Sequence, residues 1–292
     1  MSEIQKVLLF PDSVVCTLTV DDLNDRFLRF SLQSDDSNSC EWAHSSRFLE
    51  EEYGPKRLIL YHTSDVMGSF SGFLNIRDDY GGKLSIPYRI DKHFRDSFGS
   101  FPLDNRVWLP YSSGDQSGIS FDHLDKKLLF LFGNADTSLL SAGIRSVFTV
   151  SDDFRISVTF KLRDDMAEGF EAAFFVSTSS DTGKWIGQKA GMYVSGNRGG
   201  LRMSCRSVNF QIQSSEMDCD FGEMIIRRTG EDIEYLLHDG DPSNEPISLS
   251  VHKFLPQEPI FVHMRMKVDD CSRVRSCSWK NFSVHEGKLQ PI

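Results

Sequence analysis

The segment VSDDFRISVTFKL, residues 150–162, limits the fold more than any other stretch. Ile156, Val158, Phe160 and Leu162 alternate with Arg155, Ser157, Thr159 and Lys161. A period of two puts the apolar set on one side of an extended chain and the polar set on the other, which is a strand with one buried face. The theme recurs to the end of the chain. Candidate strands are 128–132, 141–150, 171–178, 189–195, 201–205, 209–213, 223–228, 232–238, 247–251, 260–268 and 275–285, separated by Gly, Asp, Ser and Asn turns. About a dozen short antiparallel strands with almost no helical periodicity predict a sandwich or barrel. The 23 phenylalanines suit such an interior, because aromatic side chains fit pleated surfaces.

Residues 1–92 read as a separate, small, β-rich domain, with 93–292 forming the larger one. Its candidate strands are 6–10, 14–20, 27–32, 57–62, 70–76 and 83–90. The run SSRFLEEEY, 45–53, predicts a helix, with Ser45 or Ser46 as N-cap and Gly54-Pro55 as the stop.

Charge and hydropathy exclude some function classes. The 32 Lys and Arg against 42 Asp and Glu give a net charge of −10, which opposes broad binding to nucleic acid or an anionic membrane. No apolar run approaches the roughly 18 residues of a membrane span. The early apolar run is broken by Pro11 and Asp12 and lacks a basic lead and a small-residue cleavage site, so no signal peptide is expected. A soluble protein, cytoplasmic or virion-associated, is the expectation. The six cysteines form no CxxC pair and no metal-type spacing, so buried thiols are expected, with Cys271 and Cys277 near enough in sequence for a short bridge.

The run Asp96-Ser-Phe98, Leu103-Asp104, Trp108, Ser113-Gly114, then Phe148-Thr-Val150 and Asp153-Phe154-Arg-Ile-Ser-Val158, resembles the opening of concanavalin A-like (laminin-G-like) jelly-roll domains. The segments Gly222 to Gly230 and Ile233 to Gly240 are similar to the antiparallel hairpin such domains carry. The resemblance covers roughly residues 93–290 and implies an all-β, antiparallel concanavalin A-like sandwich. Members include lectins, carbohydrate-binding modules, glycoside hydrolases, polysaccharide lyases and structural domains, so fold alone does not choose the activity.

The glycosidases of this group carry E-x-D-x-E on one strand, since an acid and a nucleophile must face each other at short range. This chain has no such triplet. Glu216-Met-Asp218-Cys-Asp220 is nearest and reads as a solvated acidic loop. The lyase members neutralise a uronate with Arg, Gln or Asn and move protons with His or Tyr. Here the polar sets Phe261, His263, Arg265 and Lys267, then Arg155, Ser157, Thr159 and Lys161, then Arg202 and Ser204, then Gln211 and Gln213, would form a basic groove if they shared one sheet face. Arg202, Gln211, His263 and Arg265 are the candidates for that chemistry, while the simpler reading is a solvated outer face. The lyase motifs R-x-E-L-R and Q-[IV]-H are absent, and Gln211-Ile-Gln213 lacks the histidine.

Sugar binding without catalysis asks only for an aromatic platform and a few polar groups. Trp185, Tyr193, Asn197 and Arg198, with His263 and Arg265, are the candidate contacts, whereas Trp108 and Trp279 read as core residues. Asp239, Asp241 and Asn244 are weak calcium candidates on alternating oxygens, although a hairpin turn explains them and no cofactor is otherwise expected. The motif inventory favours a non-catalytic glycan-binding or adhesion protein with a carbohydrate or protein partner. Alternatives are an oligomeric, structural or decorating component of an assembly such as a virus particle, and a polysaccharide lyase or glycoside hydrolase acting on an acidic glycan.

Overall fold

The structure, a computed structural model, describes residues 16–20, 28–34, 42–45, 56–62, 66–78, 81–98, 103–113, 119–122, 126–132, 140–162, 169–179, 189–197, 200–207, 210–217, 220–239, 241, 243–253, 258–269 and 275–291. The chain divides into two compact units, Met1–Phe94 and Arg95–Ile292. Every regular element among the described residues is a strand, and none of them forms a helix long and apolar enough to cross a membrane.

In the first unit β1 (Cys16–Val20), β4 (Lys56–His62) and β3 (Trp42–Ser45) form an antiparallel sheet with β4 in the middle. A second ladder joins β2 (Leu28–Ser34), β5 (Val66–Asp78) and β6 (Lys83–Lys92), centred on β5. Ser45 closes β3, and the rest of the expected helix 45–53 lies outside the described residues, as does the candidate strand 6–10.

After the short β7 (Phe94–Asp96), two antiparallel layers make the second unit. The first layer runs β8 (Trp108–Ser113), β11 (Leu140–Leu162), β19 (Ile260–Val268), β12 (Phe170–Ser177), β13 (Lys189–Asn197), β14 (Gly200–Ser207) and β15 (Phe210–Met217). The second runs β9 (Ile119–Asp122), β10 (Lys127–Phe132), β20 (Arg275–Pro291), β11 again, β16 (Phe221–Thr229), β17 (Asp232–His238) and β18 (Ile247–Lys253). Strand β11 belongs to both because it is one strand of 23 residues where the sequence pattern gave two. It bends at Asp152, whose φ is 63°, next to a register shift against β20 between Ser151 and Arg155. An extra residue at positive φ re-aims a strand without ending it, and Asp tolerates that region better than most residues.

The layers meet through aromatic rings. Phe282, from the second layer, packs edge-on against Trp108 (5.0 Å, 81°) and Phe174 (6.5 Å, 74°) from the first. Edge contacts of this kind add about 0.5–1.5 kcal/mol beyond the area they bury. Trp108 and Trp279 are fully buried, as expected of core residues, and Cys205 and Cys277 are buried thiols without a disulfide. Burial pushes the Cys205 thiol up to about 12.

Asp96 fixes the entry to this core. Its Oδ2 accepts from Trp108 Nε1 and its Oδ1 from the Phe98 amide, both at 2.7 Å. An amide offers one acceptor oxygen where the carboxylate offers two, so in Asp96→Asn one of those N–H groups would face another donor. The loss is about 1–3 kcal/mol. It is read as a lower urea midpoint at constant slope, and an unchanged midpoint would refute the anchor.

Candidate functional site

Alternation along β19 separates two faces. Val262, Met264 and Met266 are fully buried toward the core, while Phe261, His263, Arg265 and Lys267 turn the other way. Register carries that outer face across the layer. His263 lies opposite Phe175 on β12 and Arg145 on β11, and Arg265 lies opposite Ala173 and Gly143. Beyond them come Tyr193 opposite Ala173, Gly191 opposite Phe175, and Arg206 and Ser204 on β14.

The floor of this face is aromatic. The Phe175 ring stacks on His263 at 4.5 Å and 5°, and on Tyr193 at 6.3 Å and 12°, while Tyr111 meets His263 edge-on at 6.3 Å. Two glycines make room for these rings. A Cβ on Gly143 would lie 2.5 Å from Tyr111 Cζ, and one on Gly191 would lie 2.8 Å from both the Phe174 carbonyl oxygen and Phe175 Cα. Cations cover the rings: Arg145 over Phe261 at 4.8 Å, Arg206 over Tyr193 at 4.6 Å, and Arg265 and Lys189 over Phe175 at 5.5 and 5.7 Å. Such contacts are worth about 0.5–2 kcal/mol each. Glu171 bridges two of the arginines, accepting from Arg206 Nη1 at 2.7 Å and Arg265 Nη2 at 2.8 Å.

The hydrogen bonds of His263 define its tautomer. Ser177 Oγ donates its single proton to the Ser179 carbonyl at 2.9 Å and lies 2.9 Å from His263 Nε2. With that proton committed, Nε2 is the donor and Nδ1 carries a bare lone pair. Nδ1 is buried and meets no hydrogen-bond partner. Burial first, then the charges of Lys189, Arg145 and Arg265, hold the imidazole well below its usual pKa, so it is neutral. Burial pushes the Tyr193 phenol up to about 12, and Tyr111 is raised by the same cause.

The structure brings together His263, Arg265, Tyr193 and Arg202, the last exposed and in register with Ser195. Tyr193 is part of the buried floor at 2% exposure, not the open contact expected of it. Arg155, Ser157, Thr159 and Lys161 do not join them: they lie on the second layer, paired with β16 and β20. Gln213 pairs with Cys205 in the β14–β15 ladder, and the side chains of both Gln211 and Gln213 lie outside what is described. Trp185 and Arg198 lie outside the described residues, as does the side chain of Asn197.

The acidic run is not one loop. Strand β15 continues through Ser214, Ser215 and Glu216 to Met217, because pairing with β14 holds a segment whose polarity on both faces looks like a turn. Asp239 and Asp241 accept from the Asp241 and Ser243 amides at 2.9 Å, and Asn244 Nδ2 donates to Asp239 at 2.8 Å, so these oxygens are engaged in closing a turn. Glu171, Phe175 and Ser177 were missed because FEAAFFVS is buried on both faces and shows no alternation. Arg145, Lys189 and Arg206 are single cations whose convergence depends on register.

No family model and no curated protein matches the sequence. Solved structures do share the fold. The laminarinase from Flavobacterium sp. UMI-01 matches with a TM-score of 0.52 at 13% identity, over 66% of this chain and 98% of that one. The catalytic domain of an endo-1,3-beta-glucanase (laminarinase) from Thermotoga petrophila RKU-1 gives 0.51 at 11%, over 66% and 96%. A glycoside hydrolase family protein from Mycobacterium thermorestibile gives 0.51 at 14%, over 65% and 99%. The chain therefore contains a sandwich with the concanavalin A-like jelly-roll fold. These neighbours are glycoside hydrolases rather than lectins, which corrects the expectation of a non-catalytic glycan-binding or adhesion protein. That expectation rested on missing linear motifs. Nothing among these neighbours supports an assembly or virion component.

Proposed function

We propose that the second unit cleaves glycosidic bonds, with the outer face of the first layer as the floor of its substrate groove. The observation that carries this reading is the bare Nδ1 of a neutral, tautomer-fixed His263, with the protonated phenol of Tyr111 edge-on to its ring and that of Tyr193 on the same face, beyond Phe175. General acid–base chemistry needs one group able to take a proton and another able to give one. His263 Nδ1 fills the first role, and Tyr193 or Tyr111 the second. A fold shared with glycoside hydrolases supports the substrate class by analogy. Paired free carboxylates are absent among the described residues of this face, where both oxygens of Glu171 are held by arginines. In this reading the proton transfers fall to imidazole and phenol. His263 is 1% exposed, so cleavage at its ring requires the side chains covering it to move aside.

New reducing ends, measured after incubation with a panel of neutral and acidic polysaccharides, test the proposal. Release from at least one polymer is expected, and none from any member of a broad panel contradicts it.

A further inference from the structure

The chain is acidic, with a net charge of −10, yet its candidate floor is cationic. Around the Phe175–His263 stack lie Arg145, Lys189, Arg206 and Arg265, and among the described residues the carboxylate paired with them is that of Glu171. The second layer mixes its signs instead, as in the Arg227–Glu234 and Lys253–Asp232 pairs. Like charges gathered at a part-buried site repel one another strongly, because little water is present to screen them.

Donor geometry points the same way. The Nε–H groups of Arg145, Arg206 and Arg265 are buried and meet no acceptor, and Arg145 makes no ion pair among the described residues. A guanidinium lying on a ring spends one face there and keeps its N–H edges for acceptors. Unmet buried donors are costly, and an oxyanion suits a guanidinium edge best. Arg265 and Lys189 converge over one ring, that of Phe175, and Arg145 lies opposite His263 in register.

We infer that this floor selects anionic sugars: a carboxylate or sulfate group of the glycan seats among Arg145, Lys189 and Arg265, above the Phe175–His263 stack. The inference rests on the reading that a glycan lies on this face, and it names the chemistry of that glycan.

The test is calorimetric titration of the full chain at low ionic strength with three oligosaccharides of equal length: an oligogalacturonide, a sulfated galacto-oligosaccharide and its neutral parent. At least one anionic ligand should bind about tenfold or more tightly than the neutral one, and the preference should shrink as salt is raised from about 50 to 200 mM. Carboxylate and sulfate are distinguished by which of the two binds. Arg145→Gln and Lys189→Gln should each weaken the anionic ligand about tenfold, while Arg145→Lys, which keeps the charge, should weaken it less. Equal affinity for the neutral ligand, or full affinity in the double Gln variant, overturns the inference. The salt response of the unmodified chain decides the matter if a variant does not fold. An anion-selective chain that cleaves no glycan would sink only the proposed activity. A chain that cleaves neutral glycans and ignores anionic ones would sink only this inference.

Discussion

His263→Gln is expected to reduce glycan cleavage about 10²- to 10⁴-fold, the usual share of a positioned acid–base group, while leaving the fold intact. Glutamine keeps an N–H donor for Ser177 Oγ, the partner that fixes the ring at 2.9 Å. It also fills much of the space against Phe175. What it lacks is a basic nitrogen where Nδ1 stands. A floor that only binds sugar would keep its affinity and show no such loss of turnover. Comparable rates in variant and wild type would remove His263 from the chemistry.

The same variant has a signature in stability. His263 titrates well below its usual value in the folded chain, so below about pH 6.5 the unfolded state takes up a proton that the folded state refuses. Its contribution is fully present above the unfolded pKa and is lost as pH falls toward the folded one, at up to about 1.4 kcal/mol per pH unit. Wild type should therefore lose more stability than His263→Gln between about pH 6.5 and 5. Parallel denaturation curves across that interval would mean the ring accepts a proton in the fold.

Gly191→Ala carries the second large effect, on stability rather than turnover. Gly191 lies opposite Phe175 on β12 and Arg206 on β14. An added Cβ would sit 2.8 Å from the Phe174 carbonyl oxygen and Phe175 Cα, and closer still to Phe175 Cβ. Two of those three atoms are backbone, so no rotamer change relieves the crowding. The β12–β13 ladder must open, or Phe175 must leave the His263 ring. Overpacking of this kind costs about 3 kcal/mol at its upper end, which lowers the melting temperature of a domain this size by about 6–12 °C. A melting temperature within about 2 °C of wild type would contradict the packing described.

The fold was legible because alternation is local. Residues 155–162 show a buried face without reference to any partner, and Asp96, Phe98 and Trp108 stand close together in sequence as they do in space. The break between 150 and 155 was not legible, since a bend at Asp152 looks like a strand end when only local pattern is available. The site was half legible. His263 and Arg265 stood out because β19 alternates, whereas Glu171 and Phe175 were hidden in a strand covered on both sides. Arg155 to Lys161 shows the limit from the other direction: its polar face has the same pattern as that of β19 yet belongs to the opposite layer. Period tells which residues share a face of one strand. Which strands share a face is decided by cross-strand pairing, and that is written in no single segment.

The most direct test is a crystal structure of His263→Gln with an oligosaccharide that the wild type cleaves. The sugar should cross β19, β12 and β13, with a glycosidic bond above residue 263 and near Tyr193. Density for it on the outer face of the second layer, over Arg155, Lys161 or Arg227, would contradict the assignment of the groove.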